Sequence, residues 1–160
     1  MFSMKITLLA IGKTDNKQLQ TLIDDYIKRL GFYIPFEMEV IPDVKNAKNL
    51  SEALQKQAEG EEILKRSTTD DVLILLDEKG KTYTSEGFAE FLQKKMNSGL
   101  KNLIFVIGGP YGFSEAVYER ANGKVSLSSM TFSHQMVRLF FIEQLYRGFT
   151  ILRNEPYHHK

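Results

Sequence analysis

Leu103-Ile104-Phe105-Val106-Ile107-Gly108-Gly109-Pro110-Tyr111-Gly112-Phe113-Ser114 is the stretch that decides the fold. Its first five residues are all apolar and three are β-branched, which reads as a strand buried on both faces, as in a parallel sheet. The run stops at Gly108-Gly109-Pro110, and another glycine follows at Gly112. Glycine opens positive φ and lets another group approach the backbone, whereas proline fixes φ and removes a donor. Ser114 then offers a helix N-cap, with Glu115 placed in the first turn. A buried strand entering a glycine loop and then a helix is how open α/β proteins build sites at the carboxyl ends of strands. By itself the stretch also fits a plain strand-to-helix turn.

Outward from it, the pattern alternates. Lys5 to Ile11 reads as a first buried strand ended by Gly12. Leu19, Leu22, Ile23, Tyr26, Ile27 and Leu30 form one apolar stripe on a helix that Gly31 caps. Phe36 to Ile41 alternates Phe36, Met38 and Val40 against Glu37 and Glu39, which suits a half-exposed edge strand. Asn46 to Arg66 predicts a polar helix with a narrow stripe of Leu50, Ala53, Leu54, Ala58 and Leu64. Its charges, Glu59 among them, read as a solvated face. Val72 to Leu76 is a second fully apolar strand, after which Asp77-Glu78-Lys79-Gly80 turns the chain. Ser85 caps a helix whose core face is Phe88, Phe91, Leu92 and Met96, stopping near Gly99. Beyond the central stretch come a short helix from Glu115 to Ala121, a very short strand from Val125 to Leu127, and a long helix from about Ser133 to Leu152. Regular alternation with apolar strands predicts a parallel sheet covered by helices, in one domain. The last helix is apolar nearly all round, so one side covers the sheet and the other predicts a partner, a homodimer. The pattern begins at Met4, so Met1-Phe2-Ser3 reads as an alternative start or a cloning remnant.

Composition narrows the chemistry. At 160 residues, with 42% hydrophobic and 26% charged residues, the chain is ordinary for a soluble domain. It has no cysteine, so disulfides, thiolate zinc sites and thiol nucleophiles are excluded. No signal peptide and no apolar run near the roughly 18 residues of a membrane span are seen, which predicts a cytoplasmic protein. A net charge of +1 argues against gripping nucleic acid through phosphates alone. No dinucleotide fingerprint, P-loop or nucleophile-elbow motif is present, and His134, His158 and His159 have no metal-ligand spacing. What remains is three strand-end loops, after Leu76, Ile107 and Leu127, which a parallel sheet brings to one edge.

On those loops the chain resembles a known family. Leu76-Asp77, Ile107-Gly108-Gly109-Pro110-x-Gly112, Leu127-Ser128-x-Met130-Thr131-Phe132-x-His134, Leu145-Tyr146-Arg147 and Pro156-Tyr157-His158 resemble the RlmH family of SPOUT-class methyltransferases. The likeness spans the chain, residues 1–160, as a single SPOUT domain. It implies a parallel-sheet α/β fold whose C-terminal segment is threaded into a trefoil knot. Periodicity could not suggest this, since knots are nearly absent from proteins. It also implies a homodimer, and S-adenosylmethionine held by Leu76, Gly108, Leu127, Ser128, Ser129, Met130, Thr131 and Phe132. The implied reaction is N3-methylation of pseudouridine 1915 of 23S rRNA on the assembled ribosome, without metal. Ser133 departs from a proline common before the histidine in that family, and His159 from a basic residue common in the tail.

That reaction needs a base or an anion-stabilising donor, since N3 of pseudouridine is a weakly acidic imide. His134 is a candidate because imidazole titrates near neutrality; the plain alternative is a helix N-terminal residue bonding a loop carbonyl. Tyr157 and His158 in the tail compete with it, acting across the dimer, against the alternative of a frayed terminus. Pro156 and Tyr157 favour an ordered tail, with Tyr157 able to stack on a base. Arg138, Arg147, Arg153 and Lys160 are candidate phosphate contacts, with ion pairing as the alternative. Three other readings stay open: a knotted methyltransferase for another RNA or a small molecule, a non-enzymatic ribosome-binding factor, and a flavodoxin-like nucleotide binder.

Overall fold

In the computed structural model, which describes residues 4–159, ten elements alternate along the chain. They are β1 (Lys5–Ile11), α1 (Lys17–Leu30), β2 (Phe36–Ile41), α2 (Glu52–Leu64), β3 (Val72–Thr82), α3 (Ser85–Asn97), β4 (Asn102–Ile107), α4 (Glu115–Arg120), β5 (Gly123–Ser126) and α5 (Met136–Leu152). The sheet order is β2-β1-β4-β3-β5 and every pair is parallel. Met1-Phe2-Ser3 and Lys160, on which two of the sequence expectations fell, lie outside the described residues.

β4 is central, and its alternation divides the core in two. Leu103, Phe105 and Ile107 face a cluster with Ile23 of α1, Phe88 and Leu92 of α3, and Phe141, Ile142 and Leu145 of α5. Ile104 and Val106 face the opposite cluster, with Ile63 of α2 and Val117 of α4. The result is three layers, helices on both faces of a parallel sheet, as the apolar runs required. The Phe105 and Phe141 rings meet at a centroid distance of 4.7 Å, and both side chains are fully buried. Truncating either would cost about 3–5 kcal/mol.

Several boundaries differ from the sequence reading. Asp77-Glu78-Lys79-Gly80 does not end its strand. Leu76 and Lys81 both face Val125 of β5, so the four residues swing out of the ladder and β3 resumes to Thr82. Gly80 permits this return, because a Cβ there would stand 2.7 Å from the backbone of Lys124 and Val125. β5 begins at Gly123 and ends before Leu127. The helix expected from Asn46 is preceded by a separate 3-10 turn, Ala47–Asn49, and starts only after the Ser51 cap. Within it Leu54 is exposed, whereas Glu59, Gly60 and Ile63 are buried. Glu59 is therefore no part of a solvated face; α2 packs with a slightly rotated stripe against Val117 and Ser114. Thr84, not Ser85, caps α3, and Ser85 instead donates to Gln144 of α5. β2 sits at the sheet edge with Val40 half-exposed. α5 starts at Met136, with Ser133 Oγ accepting from the Met136 N–H. Met136 and Phe140 of this helix stay exposed.

Candidate functional site

The carboxyl ends of β3, β4 and β5 open into one cavity of about 520 Å³. Its first wall follows β4. Gly109, Pro110, Tyr111 and Gly112 form a tight turn, with the Gly112 N–H donating to the Gly109 carbonyl at 3.2 Å and Gly112 at φ +82°. Gly108 is demanded from inside the protein, since an added Cβ would stand 3.0 Å from the Phe113 ring. Ser114 then caps α4 by accepting from the Val117 N–H at 3.3 Å, the role its position predicted.

The second wall is the Asp77–Gly80 excursion of β3. Asp77 accepts from the Lys79 N–H at 2.8 Å and from the Tyr118 hydroxyl of α4. Burial first, and the Asp77 bond second, push the Tyr118 phenol up to about 12. The third wall runs from Leu127 to Phe132. Ser126 donates to the Ser128 carbonyl, Ser128 accepts from the Met130 N–H, and Thr131 donates to Glu78, each at 3.0 Å. The last of these ties the third wall to the second. His134 and Val137 stand at the end of this wall, where α5 begins.

Residues 4–158 match the family described as "Predicted SPOUT methyltransferase". The chain belongs to the SPOUT methyltransferase family. It is 74% identical to ribosomal RNA large subunit methyltransferase H of Flavobacterium johnsoniae, over 98% of this chain and 100% of the relative. The proteins of that name from Parabacteroides distasonis and Porphyromonas gingivalis are 64% and 57% identical over the same shares.

Of the residues expected to hold the methyl donor in this SPOUT chain, Leu76, Gly108, Leu127, Ser128, Met130, Thr131 and Phe132 line the cavity. Ser129 does not; it is exposed. The cavity lies over β4, β3 and β5. At the carboxyl end of β1, Arg138 donates to the Ile11 carbonyl.

Arg138 requires a correction. It is 1% exposed and donates to the carbonyls of His134 (3.0 Å) and Ile11 (2.9 Å) and to Thr14 Oγ1 (3.0 Å). Burial lowers its pKa, and Asp15 and Asp43 act against that. A guanidinium so enclosed meets no phosphate. It pins the start of α5 to the end of β1, assisted by Gln135, which accepts from the Asp15 N–H at 2.9 Å.

The three candidate catalytic residues are not together. His134 is exposed and lines the cavity, whereas Tyr157 and His158 pack on the flank of α5 and do not line it. Tyr157 donates to Glu143 at 2.7 Å and meets the Tyr26 hydroxyl at 3.2 Å. Burial, Tyr26 and Glu143 all push its phenol upward, so it keeps its proton and is no base. Arg147 pairs with Glu143 at 2.8 Å, lies over the Tyr157 ring and meets His158 Nδ1 at 3.0 Å. Because the guanidinium donates, Nδ1 accepts, and Nε2 faces Glu86 at 3.5 Å. The tail is thus ordered on its own helix. Arg153 is exposed and rests over the Tyr33 ring.

Sequence reasoning missed Tyr118 and Glu78. A tyrosine in a six-residue helix carries no motif, and Glu78 looked like one residue of a solvated turn.

Proposed function

We propose that this chain transfers a methyl group from S-adenosylmethionine to N3 of pseudouridine 1915 in 23S rRNA, acting as a homodimer on the assembled ribosome. The observation that carries the reading is the convergence of the Gly108–Gly112 turn, the Asp77–Gly80 excursion and the 127–132 segment on one cavity in a SPOUT chain. The relatives, ribosomal RNA large subunit methyltransferases H by name, support the substrate class. The knotted threading of the C-terminal segment and a cytoplasmic place of action belong to the same proposal. Among the described residues no helix is long and apolar enough to cross a membrane.

The residues fit the donor. A volume of about 520 Å³ suits a nucleoside-sized ligand, and the lining is part apolar, part backbone. Leu76, Gly108, Leu127, Ser128, Met130, Thr131 and Phe132 would hold it, with the free N–H and C=O groups of the third wall reading the adenine edge. The Asp77 and Glu78 side chains bring negative charge to a ligand that carries a sulfonium. When bound, the donor supplies a methyl carbon already activated by that sulfonium. The chain's own work is to hold nitrogen and methyl in line and to take the N3 proton. His134, at the cavity wall, takes it on its imidazole. Tyr157 and His158 do not line this cavity, so any part they play at the reacting base falls to the tail of the second protomer. Tyr157, always protonated, stacks on or donates to a base, and Arg147 and Arg153 approach phosphates.

The test is methyl transfer from labelled S-adenosylmethionine to ribosomes lacking the modification, with free 23S rRNA alongside. Label at the pseudouridine in assembled particles alone is the expected result. No label in either, despite measurable donor binding, would discard this substrate.

A further inference from the structure

The carboxyl group of Glu59 on α2 is 4% exposed and lies behind the glycine loop, outside the cavity lining. A Cβ built at Gly109 would stand 2.5 Å from both Glu59 carboxyl oxygens, so only glycine leaves this group its place. The next residue of α2 repeats the arrangement: a Cβ at Gly60 would stand 2.5 Å from Ser114 Oγ, the cap of α4. Two successive positions of α2 therefore lie close against the segment after β4, Glu59 behind Gly109 and Gly60 beside the cap of α4. Oε2 accepts from Gln55 at 3.2 Å, while Oε1 has no hydrogen-bond partner among the described residues. A buried, half-satisfied carboxyl costs stability, and filling space alone is done better by a leucine or methionine.

We propose that Glu59 is a positioning residue for the methyl-donor site, its buried carboxyl group backing Gly109 and holding the Gly108–Gly112 turn in the shape that receives the donor. The inference rests on the reading of the cavity as that site. Burial holds the Glu59 carboxyl above the usual carboxylate range, Asp43 adds to that, and the Gln55 bond opposes it. Asp43, from the segment after β2, is the charged neighbour brought by another element and itself faces Arg138; the glycine turn brings backbone, and α4 brings Ser114.

The experiment is calorimetric titration of the full chain and its Glu59 variants with S-adenosylmethionine at a single pH. Glu59→Gln, which keeps the shape and the polar end of the side chain, binds as tightly as wild type, whereas Glu59→Ala, which removes the group behind Gly109, binds about tenfold more weakly. Gly109→Ala alone also weakens binding by about tenfold, and combining it with Glu59→Ala recovers part of either loss, because the new methyl then occupies the space the carboxyl has left. Unchanged binding in Glu59→Ala overturns the proposal. Failure of the wild type itself to bind S-adenosylmethionine overturns the donor-site reading, and this proposal with it.

Discussion

Replacing Arg138 by methionine separates a buried pin from a phosphate contact. Methionine keeps an unbranched apolar stem but removes all three donors, leaving the Ile11 and His134 carbonyls and Thr14 Oγ1 without a partner. Hydrogen bonds from a charged group contribute about 1.5–3 kcal/mol each. The cost of keeping a guanidinium out of water, visible in its lowered pKa, offsets roughly half of that gain. The net loss is about 3 kcal/mol. With a urea dependence of about 2 kcal/mol per molar, the unfolding midpoint falls by about 1.5 M at fixed protein concentration. Arg138→Lys recovers little, losing about 2 kcal/mol, because a compact ammonium cannot span three separated acceptors. Methylation falls further than stability alone requires, since the His134 carbonyl is one of the freed groups. A midpoint within about 0.3 M of wild type, combined with weakened ribosome binding, would refute this reasoning and return Arg138 to the RNA surface.

Arg147→Ala breaks the contacts to Glu143, His158 and the Tyr157 ring together, and lowers ribosome methylation by about tenfold with unchanged donor affinity by calorimetry. An equal loss of donor affinity would show that Arg147 acts on the pocket or the fold. Tyr118→Phe frees Asp77 and weakens donor binding by about fivefold, a loss of about 1 kcal/mol. The Tyr118 phenol is raised from its ordinary 10.0 to about 12, so the folded state holds this proton more tightly than the unfolded chain. Its stabilising contribution is therefore complete below pH 10.0 and lost as pH climbs to about 12, and denaturation across that range shows the wild type converging on Tyr118→Phe. Gly80→Ala forces a methyl against the β5 backbone, where no side chain can swing away, and costs about 2–3 kcal/mol in thermal unfolding. An unchanged melting temperature would mean that β5 slides freely past the excursion.

Much of this molecule was legible along the chain. Apolar runs at 72–76 and 103–107 announce strands buried on both faces, because only a helix-covered parallel sheet needs them. The cap at Ser114 and the convergence of three loops followed from local chemistry and from the polarity of a parallel sheet. The misses share one cause. Arg138, Glu59 and Tyr118 are polar side chains whose place depends on a distant segment: Arg138 on Ile11 and Thr14, Glu59 on Gly109, Tyr118 on Asp77. Their own neighbours in sequence name none of those partners.

The sequence by itself determined the alternation of elements, the parallel sheet and which loops share an edge, since period, turn residues and caps are local properties. Only the tertiary structure decided which charges are buried, that Asp77–Gly80 leaves the ladder and returns, and that the tail packs on α5 while His134 faces the cavity. Those outcomes are set by partners far away in the chain, and a buried charge is tolerated only where such partners meet it.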